Sequence, residues 1–301
     1  MREDLTYTVP REMEGYRLDR FVRRVLPGLP AKSARFAIEA GDVTVGGRIG
    51  KKGSILREKD EIVVRRIADP EDWLPLAGAL PGADVPYVDA DVAVLGKPAD
   101  VHSEPQRPRE AGTLAGFLRF LYPGVAAISK EPGLTLLTRL DYSTSGAVPA
   151  ALTQDAFGFL SREREKGRIV KTYLCLVRGR METGMSLSFL LDTAGGQKVR
   201  VRKDRREEDP LYWTAVSPVR EEGGRTLVRA VISKGKRHQI RAHLAAAGFP
   251  IVGDRRYGAV PDEGPGKSRL MLHAEEVRFT HPETNDTLRV VAPPPAEFEA
   301  I

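Results

Sequence analysis

Lys171-Thr172-Tyr173-Leu174-Cys175-Leu176-Val177 sets Tyr173, Cys175 and Val177 against Thr172, Leu174 and Leu176. Both faces of an extended segment are then largely apolar, which predicts a strand inside a sheet covered on both sides. Around it, residues 93–95, 226–232, 272–279 and 287–291 read as further strands. Helical patterning is confined to 114–121, 155–166 and 237–247, the last stopped by Gly248 with Pro250 just beyond. Many strands with a few interspersed helices predict an α+β domain on a mixed, mainly antiparallel sheet.

Upstream the pattern changes. Residues 19–25 and 32–40 read as two short helices separated by Pro27-Gly28-Leu29-Pro30. Residues 43–45 and 48–50 then flank Gly46-Gly47, a dipeptide suited to a tight hairpin turn with two positive φ angles. Residues 55–64 supply another strand or two, completing a small α/β module. Four prolines between Pro70 and Pro86, with Gly78 and Gly82 among them, read as a linker. The expected organisation is a module at 1–66, a linker at 67–86 and a larger domain at 87–301, which suits a chain of 301 residues.

The charge follows the same division. Residues 1–66 hold 15 Lys and Arg against 10 Asp and Glu, whereas the remaining residues hold 32 against 31. Of the net +6, then, +5 sits in the first fifth of the chain. A basic module on a near-neutral body reads as a polyanion-binding attachment, since local positive charge steers nucleic acid.

Several classes are excluded or left without support. Cys175 is the one cysteine, so there is no intramolecular disulfide and no multi-cysteine metal site. With 41% apolar and 29% charged residues the composition is that of a globular protein, not a disordered one. No apolar run approaches the roughly 20 residues of a membrane helix, and residues 1–10 lack a signal-peptide core, so a cytoplasmic protein is expected. Neither Gly50-Lys51 nor Gly96-Lys97 has the glycine or Ser/Thr context of a phosphate-binding loop. His238 and His243 are five apart, about 140° on a helix, where a metal-binding pair uses i, i+4. No metal and no cofactor are expected.

Residues 139–146, Arg-Leu-Asp-Tyr-Ser-Thr-Ser-Gly, are the most informative motif. An Asp in such a loop ordinarily closes an Asx-turn with nearby backbone N–H groups. In Gly235-Lys236-Arg237-His238-Gln239-Ile240-Arg241-Ala242-His243-Leu244, Arg241 lies within a partly apolar helix and needs a carboxylate partner, because an unpaired buried charge costs about 3–5 kcal/mol. Either contact alone could be structural. Together with Lys171–Cys175, residues 248–258 and residues 272–282, however, these segments resemble the RluA family of pseudouridine synthases. The family's R-L-D-x-x-T-S-G stands at 139–146 and its K-x-Y-x-A at 171–175, with Cys175 for Ala. Its G-R-T-H-Q-I-R-x-H-L stands at 235–244, departing at Lys236 and Arg237. Its G-x-P-I-x-G-D-x-x-Y-G stands at 248–258, and its L-H-A-x-x-x-x-F-x-H-P at 272–282. The first 66 residues also resemble the alpha-L RNA-binding module of a small-subunit ribosomal protein, through Arg17-Leu18-Asp19-Arg20-Phe21 and Gly41-Asp42-Val43-Thr44-Val45.

The resemblance implies a catalytic domain of the pseudouridine synthase fold acting on uridine in structured RNA, ribosomal above all, with transfer RNA the second candidate, as a monomer without a membrane attachment. It implies Asp141 as the catalytic carboxylate and Arg241 as its ion-pair partner. Tyr173 would stack on the uracil and could assist proton handling, and Ile240 and Leu244 would form apolar walls. Arg139 would fill the gap left by the flipped nucleotide, and His238 would contact RNA. In the module, Arg17, Arg20, Arg23, Arg24, Lys32, Arg35, Lys51 and Lys52 would grip phosphates. Lys198, Arg200, Arg202, Lys203, Arg205 and Arg206 put six basic residues in nine, either a solvated loop or a flap on phosphates beside the site. Gly46 and Gly96 replace the family's usual Asn at what read as turn positions. Pro149 removes a ladder donor and predicts an edge or a bulge. An RNA chaperone that kept the fold would not need Asp141, Tyr173 and Arg241 together. A hydrolase would need a second carboxylate near Asp141, and none is evident in the sequence.

Overall fold

The computed structural model describes residues 4–27, 31–193, 198–258 and 269–298. Gly28, Leu29 and Pro30 of the expected inter-helix segment lie outside the described residues. The chain divides into two compact units. The smaller comprises residues 1–75 with 105–110 and 130–132, and the larger holds the rest.

The smaller unit contains β1 (Leu5–Thr8), α1 (Leu18–Val25), α2 (Ala31–Glu39), β2 (Val43–Val45), β3 (Arg48–Ile49) and β4 (Glu61–Val64), with sheet order β1-β4-β2-β3. Leu18, Phe21 and Val22 of α1 and Ala34, Ala37 and Ile38 of α2 close one core with Val43, Leu56, Ile62 and Val64. The β2–β3 hairpin turns at Gly46 and Gly47, with φ of +53° and +75°, the two positive values that the dipeptide predicts. The unit runs on through a 3-10 helix, Pro70–Trp73, within the interval read as linker. The Trp73 indole is buried edge-on to Phe36 and donates to Ser33 Oγ at 2.7 Å.

The larger unit begins with β5 (Asp84–Val88), β6 (Val92–Lys97), α3 (Leu114–Leu121), α4 (Val125–Ile128), β7 (Ser145–Ala151), α5 (Gln154–Glu165) and β8 (Val170–Arg178). It continues with β9 (Met185–Leu187), β10 (Phe189–Asp192), β11 (Arg200–Arg206), β12 (Thr214–Glu222), β13 (Arg225–Ile232), α6 (Gln239–Ala246), β14 (Leu272–Thr280) and β15 (Thr287–Val291). Its main sheet has the order β5-β6-β7-β14-β8-β13-β12-β9, with β15 on β14, and is antiparallel except between β7 and β14. The α+β, mainly antiparallel reading holds. The strand around Tyr173 is β8, flanked by β14 and β13, with Cys175 fully buried. Strands β10 and β11 form a separate ribbon; Leu191 of β10 and Val199, just before β11, pack with Ala242 of α6.

Three local readings are corrected. The interval read as linker ends inside β5, which tolerates Pro86 because it is an edge strand of the main sheet. Gly96 is not at a turn but inside β6, where an added Cβ would lie 1.7 Å from Asp84 Oδ1. Pro149 is in neither an edge strand nor a bulge, since β7 lies between β6 and β14. Pairing with β14 involves only Ser145 and Gly146 of β7, however, and the Pro149 carbonyl accepts from Leu137 N–H at 2.9 Å. The N–H and C=O of a strand residue point to the same side, so the missing donor falls where no regular ladder runs.

Candidate active site

The site is assembled where β7 begins. Asp141 opens a turn closed by Thr144 N–H on its carbonyl at 3.1 Å, so the Asx-turn character read from sequence is carried by backbone rather than by the carboxylate. The next residues enter β7, where Gly146 has φ of +118° and an added Cβ would sit 2.2 Å from the Ala274 carbonyl oxygen. Only glycine allows this approach. Ala274 in turn pairs with Tyr173, so Gly146, Ala274 and Tyr173 stand in line across β7, β14 and β8. That line brings the Asp141 loop and Tyr173 to one place. The loop is further anchored by Ser145 Oγ, 2.7 Å from His273 Nδ1, while His273 Nε2 donates to the Ala292 carbonyl at 2.9 Å.

Helix α6 supplies the arginine. Arg241 Nη1 donates to Asp141 Oδ2 at 2.8 Å, the pairing expected from the sequence. Its Nε and Nη2 donate to the two oxygens of Asp254 at 2.8 and 2.9 Å, a two-pronged grip. Asp254 also accepts the backbone N–H groups of Arg256 and Tyr257. Burial pushes the Asp254 carboxyl up, but Arg241 and these N–H groups outweigh it and hold the group below its ordinary range. Burial likewise disfavours the charged Arg241, and the two carboxylates more than offset it. The Asp254 side chain is fully buried, whereas Asp141 keeps 26% of its surface. Asp254 is thus the structural partner, and Asp141 is the one presented outward.

Tyr173 is buried, and burial first, then Asp141 and Cys175, push its phenol up. The ring therefore stays neutral, suited to stacking and not to abstracting a proton at neutral pH. Ile240 is nearly buried and Leu244 fully so, which makes Leu244 backing for the site rather than a surface a base could touch. Arg139 is mostly exposed and donates to Glu104 at 2.7 Å. His238, at the N-cap of α6 with φ of +55°, lies 3.8 Å from Asp141 and hydrogen-bonds the Tyr257 hydroxyl through Nδ1 at 3.0 Å. Burial lowers its pKa; Asp141 opposes that shift, and Arg241, Arg256 and Arg237 reinforce it. His238 thus stands beside Asp141, held by Tyr257.

Sequence reasoning assigned no part to Asp254, Tyr257 or Lys97. Tyr257 lies under the Arg241 guanidinium at 5.3 Å, and its hydroxyl accepts Val199 N–H at 2.9 Å. Lys97, buried at the end of β6, donates to the carbonyls of Pro98, Val101 and Tyr142 at 2.9, 2.6 and 3.0 Å. Burial pushes its ammonium down to about 7, against the opposing pull of Asp100 and Asp141. Their signal was present in the motifs, as Lys-Pro after a strand and as Gly-Asp-x-x-Tyr-Gly, but spacing alone does not say what each touches.

In the smaller unit, Arg17, Arg20, Arg23, Arg24, Arg35, Lys51 and Lys52 are exposed and Lys32 is half-buried. The backbone of Lys52 and Ser54 accepts from Asp19 and Leu18, which sets the two lysines beside the start of α1. Arg17 pairs with Asp19 at 3.0 Å and Arg35 with Glu39 at 2.8 Å. In the larger unit, Arg200, Arg202, Lys203, Arg205 and Arg206 line the exposed strand β11, and Lys198 lies 5.2 Å over the Tyr257 ring. Among the described residues no cluster of His, Cys, Asp and Glu could hold a metal, and no helix is long and apolar enough to cross a membrane.

The outward carboxylate of Asp141, the largely buried Arg241 that holds it and the buried Tyr173 are thus the three motif residues whose geometry the mixed sheet and α6 fix. Residues 91–246 match the family described as RNA pseudouridylate synthase. The chain is 33% identical to the ribosomal large subunit pseudouridine synthase C of Escherichia coli (strain K12), over 93% of this chain and 89% of that protein. It is 28% identical to the ribosomal large subunit pseudouridine synthase D of Xanthomonas campestris pv. campestris, over 97% and 90%. The solved structure of human RNA Pseudouridylate Synthase Domain Containing 1 superposes with a TM-score of 0.58 at 26% identity, covering 74% of this chain and 89% of that one. The chain belongs to the RluA-type pseudouridine synthase family and is an RNA pseudouridine synthase, an isomerase.

Proposed function

We propose that this synthase acts on large-subunit ribosomal RNA, with Asp141 as its catalytic carboxylate and the smaller unit, which holds the basic residues of 1–66, as an RNA-binding module. The observation that carries the catalytic assignment is the contrast within one arginine's grip: Asp254 is wholly enclosed and Asp141 is open. The reaction breaks the N1–C1′ bond of uridine, turns the uracil and joins C5 to C1′, while C5 loses a proton and N1 gains one. Atoms and electrons balance with no cofactor. Asp141 serves as nucleophile toward the base or the ribose, or as base toward a ribose proton; each role uses a carboxylate oxygen, and Arg241 Nη1 holds Oδ2 at 2.8 Å. Tyr173 supplies a neutral face for the uracil, and Ile240 an apolar flank. The guanidinium of Arg139, exposed beside the loop, is placed to occupy the space of the flipped nucleotide, whose unstacking costs a few kcal/mol.

The ribosomal assignment is supported by the named relatives and by the basic module. The contacts of Asp141, Arg241 and Asp254 all lie within one chain, which supports a monomer, and the ribosomal relatives support a cytoplasmic location. Pseudouridine mapping of ribosomal and transfer RNA, from cells with and without the gene, tests the reading. A site lost from large-subunit ribosomal RNA in the deleted strain supports it. A loss confined to transfer RNA overturns it.

A further inference from the structure

We propose that Tyr142 is a stacking platform for the nucleotide adjacent to the target uridine, and so helps to set the sequence context in which the enzyme works. The proposal rests on Asp141 marking the site. In the turn Asp141-Tyr142-Ser143-Thr144, Tyr142 is the exposed residue, with 49% of its surface accessible, while Thr144 is buried. Its ring lies 4.8 Å from the His102 ring at an interplanar angle of 57°.

The backbone beneath this ring is held at several points. The Tyr142 carbonyl accepts from Lys97 Nζ at 3.0 Å and from Val101 N–H at 3.2 Å. Leu140 N–H donates to Ser103 Oγ, and Ser103 Oγ to the Leu140 carbonyl, both at 3.0 Å. The Asp141 carbonyl is taken by Thr144 N–H. An aromatic ring one residue from the catalytic carboxylate is thereby held outward at little further entropic cost on binding. RNA read outside a duplex presents unstacked bases, and aromatic side chains are their common partners. When the target uridine leaves its stack, its neighbours lose one face each. The Tyr142 ring offers a replacement face for one of them.

The probe is obtained without assuming an RNA class. Total RNA from a strain lacking the gene is treated with the protein, the modified uridine is located, and a short RNA around it is synthesised. Companion RNAs replace the 5′ or the 3′ neighbour by an abasic nucleotide. Dissociation constants and single-turnover rates are measured for the wild type, Tyr142→Phe and Tyr142→Leu. Tyr142→Phe keeps the ring and should bind within about twofold of wild type, whereas Tyr142→Leu should bind about ten- to a hundredfold more weakly. One of the abasic RNAs should lose affinity for the wild type and lose no more for Tyr142→Leu. Equal binding of Tyr142→Leu and wild type, or the same abasic penalty in both, overturns the proposal. Asp141→Asn separates the two readings. It should still show the abasic penalty while converting no uridine, and retained turnover would sink the catalytic role of Asp141 while leaving the stacking comparison readable.

Discussion

At the scale of single residues, the division of labour between two aspartates on one arginine yields three predictions. Asp141→Asn keeps shape and removes charge from the outward carboxylate, so single-turnover isomerisation should fall by at least about a thousandfold while RNA affinity stays near wild type. Turnover close to wild type would remove Asp141 from the chemistry. Arg241→Ala leaves Asp254 enclosed with no counter-charge, which should cost about 3–5 kcal/mol in chemical denaturation. Adding Asp254→Asn should then recover part of that loss, because the buried charge is gone. If the double variant is no more stable than Arg241→Ala, the Asp254 contact is not what holds the arginine. Arg241→Lys should restore activity only in part, since an ammonium cannot reproduce the planar contact to both carboxylates.

At the scale of elements, β7 and β14 meet at a parallel contact of two residue pairs, and His273 fastens it by hydrogen bonds to Ser145 and to the Ala292 carbonyl. Burial holds His273 below its ordinary pKa, and His243, between Thr214 and the Phe189 carbonyl, is held low for the same reason. The unfolded chain then binds protons that the folded one refuses. The stabilisation from these neutral rings is complete above the ordinary histidine range and is lost as pH falls below it, with a slope of up to about 1.4 kcal/mol per pH unit for each ring. Unfolding free energy measured from pH 8 to 5 should therefore decline, and His273→Gln should flatten the decline; an unchanged slope would mean that His273 titrates normally.

How much of this could be read beforehand differs between elements. Strand β8, helix α3 and the Gly46-Gly47 turn were legible because period and turn chemistry are local. The Asp141–Arg241 pair, a hundred positions apart, was legible only through the motifs that carry it. Asp254 stood in plain view, but nothing local distinguishes a carboxylate that caps a turn from one that also clamps a distant guanidinium. Lys97 defied expectation because lysine is ordinarily exposed, and its burial depends on three carbonyls brought together by the fold. Pro149 misled because a strand has two sides, and the sequence does not say on which of them a neighbour is missing.

At the scale of the molecule, positive charge is concentrated where neither Asp141 nor Arg241 lies. The exposed basic side chains of the smaller unit should set affinity and salt dependence, leaving the chemical step alone. Lys51→Gln with Lys52→Gln should reduce the slope of log binding constant against log salt by roughly 0.7–0.9 for each phosphate left without its lysine, with single-turnover rates at saturating RNA unchanged. An unaltered slope would show that these lysines face away from RNA. The same substitutions at Arg202 and Lys203 on β11 test the ribbon independently.

Two glycines described above meet equally severe obstacles, yet the obstacles differ in kind. At position 96 the space is held by the end of the Asp84 side chain, which is exposed and can swing aside; at position 146 it is held by the backbone of β14. Gly96→Ala should therefore shift thermal stability little, whereas Gly146→Ala, strained in φ as well, should cost about 2–4 kcal/mol or prevent folding. Position 96 can thus accept a methyl group by moving one side chain, and position 146 cannot. A substitution at 146 would require the rebuilding of the strand that carries Ala274, so the seam beside the catalytic loop is held by a residue with no side chain at all.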